Sequence, residues 1–149
     1  MKITPKLMKL ALNLYPPYLG AGVKVTHIDD DWRELHVSMS VRWYNRNAVG
    51  THFGGSLYSM VDPHLMLLLI RLLGDEYWVW DKSAQIEFIK ASKDKVTSII
   101  KISSDDLAEI KRHTIDGDKY LHEFAIEVKD EDDDLVATVK KIIYTRRKK

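Results

Sequence analysis

The stretch Asn47-Ala48-Val49-Gly50-Thr51-His52-Phe53-Gly54-Gly55-Ser56-Leu57-Tyr58-Ser59-Met60-Val61-Asp62-Pro63, continued by an almost wholly apolar run to Leu73, decides how this chain folds. From about Gly55 to Leu73 only Ser56, Ser59, Asp62, His64 and Arg71 interrupt the apolar residues. A helix apolar on nearly all sides must be surrounded by protein, which predicts a central core helix. Pro63 lacks an amide and clashes with the carbonyl one turn back, a cost of about 3 kcal/mol in a straight helix. The helix is therefore expected to kink or restart at Asp62.

Outward from this helix the pattern changes to period two. Upstream, Val23 to Ile28 reads as a strand, and Leu35, Val37, Met39 and Val41 alternate with polar neighbours in a second one. Before them, Ile3, Leu7, Leu10, Ala11 and Leu14 follow helical spacing over residues 2 to 14, and Pro16-Pro17 are expected to stop that helix. Downstream of Gly74, Ala84, Ile86 and Phe88 face one way, and Val96, Ser98, Ile100 and Ile102 come after Lys93-Asp94-Lys95. Ser103 or Ser104 can cap a short helix bearing Leu107 and Ile110. Beyond Gly117, Tyr120 to Lys129 and Leu135 to Tyr144 form a hairpin across the acidic turn Asp130 to Asp134. The simplest two-layer solution is α+β, a curved antiparallel sheet wrapped around the central helix. One domain spanning residues 1–149, with a short N-terminal helix, fits that length and composition.

Composition excludes several functions. Lys and Arg total 23 against 22 Asp and Glu, so a net charge of +1 gives little global attraction for nucleic acid. Trp78 and Trp80 beside Lys82 are better read as packing or an oligomer face than as base stackers. The absence of cysteine removes disulfides, thiolate nucleophiles and cysteine-ligated zinc. His52 and His64 match no standard zinc spacing, and Asp130 to Asp134 lacks the glycine and terminal glutamate of a calcium loop, so neither metal nor cofactor is expected. The start lacks an apolar signal segment, and the run Leu65 to Ile70 is far shorter than the roughly 20 residues that span a bilayer. A soluble cytoplasmic protein without membrane or nucleic-acid partners is the expectation.

The chemistry concentrates in the deciding stretch. At the start of a helix, unpaired amides and the positive dipole end can hold a carbonyl oxygen as it gains charge, and Gly54 and Gly55 put no side chain in the way. About two turns on, Asp62 sits among Met60, Val61, Pro63, Leu65 and Met66, a poor environment for an unpaired charge. It either activates water or attacks a carbonyl, or it pairs with another side chain or caps the turn at Pro63. Asn47 either donates to a carbonyl or forms a turn.

The segment from Asn47 to Asp62 resembles the active-site stretch of hotdog-fold acyl-CoA thioesterases of the phenylacetic-acid-pathway type. Gly50 to Pro63 together with Val79-Trp80-Asp81-Lys82-Ser83 look like an uncharacterised thioesterase-like branch within that superfamily. The resemblance implies an acyl-CoA or related thioester as substrate. It also implies a homodimer that joins two sheets and forms its sites at the interface, with pairing into tetramers left open. By the same resemblance Asn47 helps position the thioester carbonyl, the Gly54 amide polarises it, and Asp62 is the catalytic carboxylate, as general base or as nucleophile. Gly55, Phe53, Tyr58 and Met66 would then line the acyl site. Lys90, Lys93 and Lys95 would meet CoA phosphates if they project toward the entrance, or otherwise solubilise a turn. Two positions depart from the pattern: Phe53 stands where many related enzymes carry histidine, so no histidine role passes to His52, and Pro63 comes directly after the carboxylate. A noncatalytic acyl or acyl-CoA binding protein is the alternative.

Overall fold

The computed structural model describes residues 3–149, so the predicted helix start at Lys2 lies outside the described residues. Helix α1, Pro5–Leu14, is capped by Thr4, whose hydroxyl accepts the Leu7 amide at 3.3 Å. It stops where Tyr15, the residue before a proline, is held extended. Pro16-Pro17 do more than stop it. They open a second helix, α2, Pro16–Ala21, because a missing amide costs nothing in a first turn. Gly22 closes α2 at φ 78°.

Strand β1 spans Val23–Ile28 and β2 spans Glu34–Met39. The deciding stretch then forms two helices, α3, Gly54–Ser59, and α4, His64–Leu73, joined by a turn through Met60 to Pro63 that contains a cis peptide before Pro63. The restart at Asp62 is thus the form the proline takes. Leu65, Leu68, Leu69 and Leu73 bury one face of α4 at spacings of three and four. Residues 54–73 are long and apolar enough by length and composition to cross a membrane, but here they are broken at the turn and packed against the sheet.

Strand β3, Tyr77–Phe88, is followed by β4, Val96–Lys101, then α5, Ser104–Thr114, β5, Lys119–Lys129, and β6, Leu135–Arg147. Ser103 caps α5 in a reciprocal box with Asp106, accepting its amide at 3.0 Å and donating its own at 2.8 Å. The six strands run antiparallel in the order β1-β2-β4-β5-β6-β3. Val25, Leu35, Val37, Ile100, Ile126 and Val139 point inward onto the helices and form the core with Leu57, Met60, Leu65 and Leu69.

Two features of this sheet place the polar groups around Asp62. In β6 the inward face is odd-numbered, Val139, Lys141, Ile143 and Thr145, so a lysine falls among buried residues. In β3 the register against β6 shifts between Asp81 and Ser83: Asp81 lies opposite Ile143, and Ala84 opposite Lys141. The inward set is therefore Tyr77, Val79 and Asp81 before the bulge, and Ala84, Ile86 and Phe88 after it. The sequence pattern predicts only the second half. Strand β3 is also an edge, paired with β6 on one side alone.

Candidate active site

Asp62 is brought to the sheet by the turn between α3 and α4, and its side chain is 40% exposed. Its Oδ1 accepts a hydrogen bond from Lys141 Nζ at 2.8 Å, and the Lys141 side chain is 0% exposed. The same ammonium stands 2.8 Å from Asp81 Oδ1 as an ion pair angled too poorly for a hydrogen bond, leaving that buried oxygen without a proper donor. Burial alone would lower the Lys141 pKa, but the two carboxylates outweigh it and hold the ammonium charged, above its ordinary value. The Tyr58 ring lies 5.8 Å from Nζ, a further favourable face for the cation.

Behind Asp62 lies a second buried set. Tyr18, from α2, donates its hydroxyl to the Asp62 carbonyl oxygen and stands 3.2 Å from His64 Nε2. His64 Nε2 is also 3.0 Å from the Met60 carbonyl, so the network assigns the proton to Nε2 and leaves the buried Nδ1 without a partner. Full burial pushes the His64 imidazole down to about 4, and burial together with the Asp62 charge raises the Tyr18 phenol above its ordinary value. Both side chains are therefore neutral at pH 7, and the turn carrying Asp62 is held from its backbone as well as its carboxylate.

The glycine pair sits on a different wall. Phe53 precedes α3 without a side-chain cap, so the first amides of the helix have no intrahelical partner. A cavity of about 420 Å³ opens here, between Asn47, Gly54 and Leu57 on one side and Phe88, Lys90 and Ser92 on the other. Asp62 is not one of its walls. Each glycine faces an aromatic ring: an added Cβ would meet Phe88 at 2.9 Å from Gly54, and Phe53 at 2.6 Å from Gly55.

The remaining candidates are dispersed around these two groups. Asn47 folds back on its own loop, its amide donating to Thr51 Oγ1 at 2.7 Å and its oxygen accepting the Val49 and Thr51 amides at 3.1 and 3.0 Å. Phe53 is exposed, whereas Tyr58 and Met66 are half-buried on α3 and α4. Lys90 borders the cavity but is held by Asp130 and Asp134 at 2.7 and 2.9 Å, which raises its pKa; Lys93 and Lys95 are exposed on the turn beyond it. His52 Nε2 is 2.6 Å from the Asp94 carbonyl, which ties the loop to that turn. Among the described residues no three His, Asp or Glu side chains group as a metal site.

Lys141, Asp81 and Tyr18 are missing from the site that the sequence pattern predicts. Lys141 had a signal: it lies in phase with Val139 and Ile143, and a lysine on a buried strand face requires a carboxylate. Asp81 is hidden by the bulge, and Tyr18 by the unforeseen α2.

A family model described as a domain of unknown function (DUF4442) matches residues 4–145. No curated protein matches the chain. Among solved structures, a Pseudomonas aeruginosa protein of unknown function, described as a probable thioesterase, superposes with a TM-score of 0.83 at 13% identity, covering 99% of this chain and 98% of that one. A Haemophilus influenzae thioesterase gives 0.70 at 12% identity over 99% and 93% of the two chains. A Chlorobaculum tepidum protein of unknown function gives 0.74 at 15% identity over 98% of each. At these identities the likeness is one of fold, the hotdog arrangement of curved antiparallel sheet and central helix.

Proposed function

We propose, for a chain that belongs to the DUF4442 family, that it hydrolyses an acyl thioester such as an acyl-CoA to free acid and thiol, as a homodimer of the thioesterase-like branch its sequence resembles. The observation that carries this reading is Asp62: a carboxylate 40% exposed, with one oxygen pinned by a fully buried lysine. Such pinning orients the group while the second oxygen remains for substrate or water.

In this reading the thioester carbonyl lies at the start of α3, where the Gly54 amide takes up the developing negative charge. Asp62 then draws a proton from water as it adds to the carbonyl. Alternatively it adds directly, giving an anhydride that water opens. Either way the C–S bond breaks, and the thiolate leaves and takes up a proton. Asp62 is not among the walls beside Gly54 of its own chain, which supports a site shared between two copies at an interface. The open edge of β3 supports that interface, since a strand of 12 residues with one unpaired side is a template for a second copy. Gly55, Phe53, Tyr58 and Met66 would border the acyl group.

Thiol release from a panel of short, long and aromatic acyl-CoAs tests this, with wild type against Asp62→Asn. Turnover by wild type that drops in the variant supports it, and equal turnover removes Asp62 from the reaction. A second reading, an acyl-thioester binder without turnover, is favoured by one observation: the Asn47 amide is already engaged by its own loop. Saturable acyl-CoA binding with no thiol release by wild type would establish it.

A further inference from the structure

On the face of the sheet turned away from α4, β3 and β6 carry an aromatic patch that the sequence reads as packing or an oligomer face and that the structure leaves exposed. Trp78 and Trp80 are 53% and 44% exposed, whereas their neighbours Tyr77 and Val79 pack on the core. Trp80 stacks on Tyr144 directly across the ladder, with ring centroids 4.0 Å apart and planes within 6°. One face of the indole is thereby covered, and the rest of the side chain stays half-exposed. Around these rings a cavity of about 690 Å³ is walled otherwise by Arg146, Arg147, Lys148 and Lys149, four cations with no acid among the lining side chains.

The cations are not equally committed. Arg147 pairs with Glu76 at 3.0 Å, and Lys148 donates to the Asp75 carbonyl at 2.7 Å while lying 4.4 Å from the Trp78 ring centre. Arg146 uses its Nε on the Gly117 carbonyl at 2.8 Å, which orients the guanidinium and leaves its two terminal nitrogens for a ligand. A whole-chain charge of +1 thus conceals a local concentration of positive charge. A contiguous exposed aromatic patch marks an interaction site, and clustered cations repel one another unless an anion lies between them.

We infer that the Trp78–Trp80–Tyr144 platform with Arg146 and Lys149 binds a purine nucleoside phosphate, the base stacking on Trp80 and the phosphates meeting the two cations. A planar π-system beside an anion is the chemistry that such a pairing of aromatic rings and guanidinium recognises. The ligand is either a free nucleotide or the nucleotide end of coenzyme A, and the second source rests on the proposed hydrolase activity.

The test titrates the full chain, by tryptophan fluorescence and calorimetry, with adenosine 3′,5′-bisphosphate, ADP, coenzyme A, pantetheine and a thymidine oligonucleotide. Saturable binding of the bisphosphate, with pantetheine silent, is expected. Trp80→Ala is expected to weaken it roughly five- to a hundredfold, the usual cost of removing one stacked ring. Arg146→Ala should weaken it further at low than at high salt, and circular dichroism establishes that both exposed-site variants fold. Equal affinity for ADP and the bisphosphate identifies a free nucleotide, and preference for the bisphosphate and coenzyme A identifies the coenzyme. No bisphosphate binding at millimolar concentration overturns the inference, as does binding indifferent to Trp80→Ala and Arg146→Ala, or an oligonucleotide bound far more tightly than any mononucleotide. Bisphosphate binding without thioester turnover leaves this site standing and removes the hydrolase. Turnover without bisphosphate binding does the reverse.

Discussion

Two lysines of this protein each stand between two aspartates at nearly equal distances, and their surroundings make them opposites. Lys141 lies 2.8 Å from both Asp62 and Asp81, with none of its side chain exposed. Lys90 lies 2.7 and 2.9 Å from Asp130 and Asp134, with 40% exposed. Around Lys90 water reaches the ammonium and the exposed Asp134, while the buried Asp130 side chain already organises its turn through the Asp132 and Asp134 amides. At Lys141 the cation itself is cut off from water, so it depends on its two partly exposed carboxylates. Contact geometry alone therefore does not rank ion pairs; desolvation does.

The widest separation between the two clusters is expected in catalysis. Asp62→Asn should lower thiol release at least about 100-fold, the usual range for a lost general base, whereas Asp134→Asn should leave the rate as it is. Steady-state assays on both variants check this, and equal losses would erase the contrast. In stability, Lys141→Met leaves two carboxylates without their cation and should lower the unfolding free energy by about 3 kcal/mol in urea titrations. The triple change Lys141→Met, Asp62→Asn, Asp81→Asn should recover most of that loss, because an apolar core tolerates neutral amides better than stranded charges.

The buried side also carries a pH signature. His64 titrates at about 4 when folded against an ordinary 6.5, so between these values the unfolded chain binds the extra proton. Its contribution is whole above pH 6.5 and fades as pH falls toward 4, by about 3 kcal/mol at about 1.4 kcal/mol per unit. His64→Asn should flatten that stretch of the stability profile measured by urea midpoints. Smallest of all is the response to salt. Near 1 M NaCl, where screening extends only about 3 Å, the coupling between Lys90 and Asp134 should vanish in a double-mutant cycle while that between Lys141 and Asp62 persists.

The sequence made some of this visible. The strand from Val23 to Ile28, the Ser103 cap and the restart at Asp62 could be read because each depends on residues within a few positions of one another. The partner of Asp62 could not, because Lys141 is 79 residues away and only the completed sheet brings them together. Asn47 was legible as one of two alternatives, and its own loop took the turn-forming one. Pro16-Pro17 announce a break with equal force whether a coil or a new helix comes next, so α2 and its Tyr18 stayed hidden.

The bulge in β3 shows how much a single inserted residue carries. Were Lys82 to take a regular place in the ladder, with no bulge, Ser83, Gln85 and Glu87 would take the inward places of Ala84, Ile86 and Phe88. The strand would then have to choose between aiming Asp81 at Lys141 and keeping its far half greasy enough to lie beside α3. One added peptide unit lets a single ribbon speak two phases, an acid half and an oily half, without leaving the sheet.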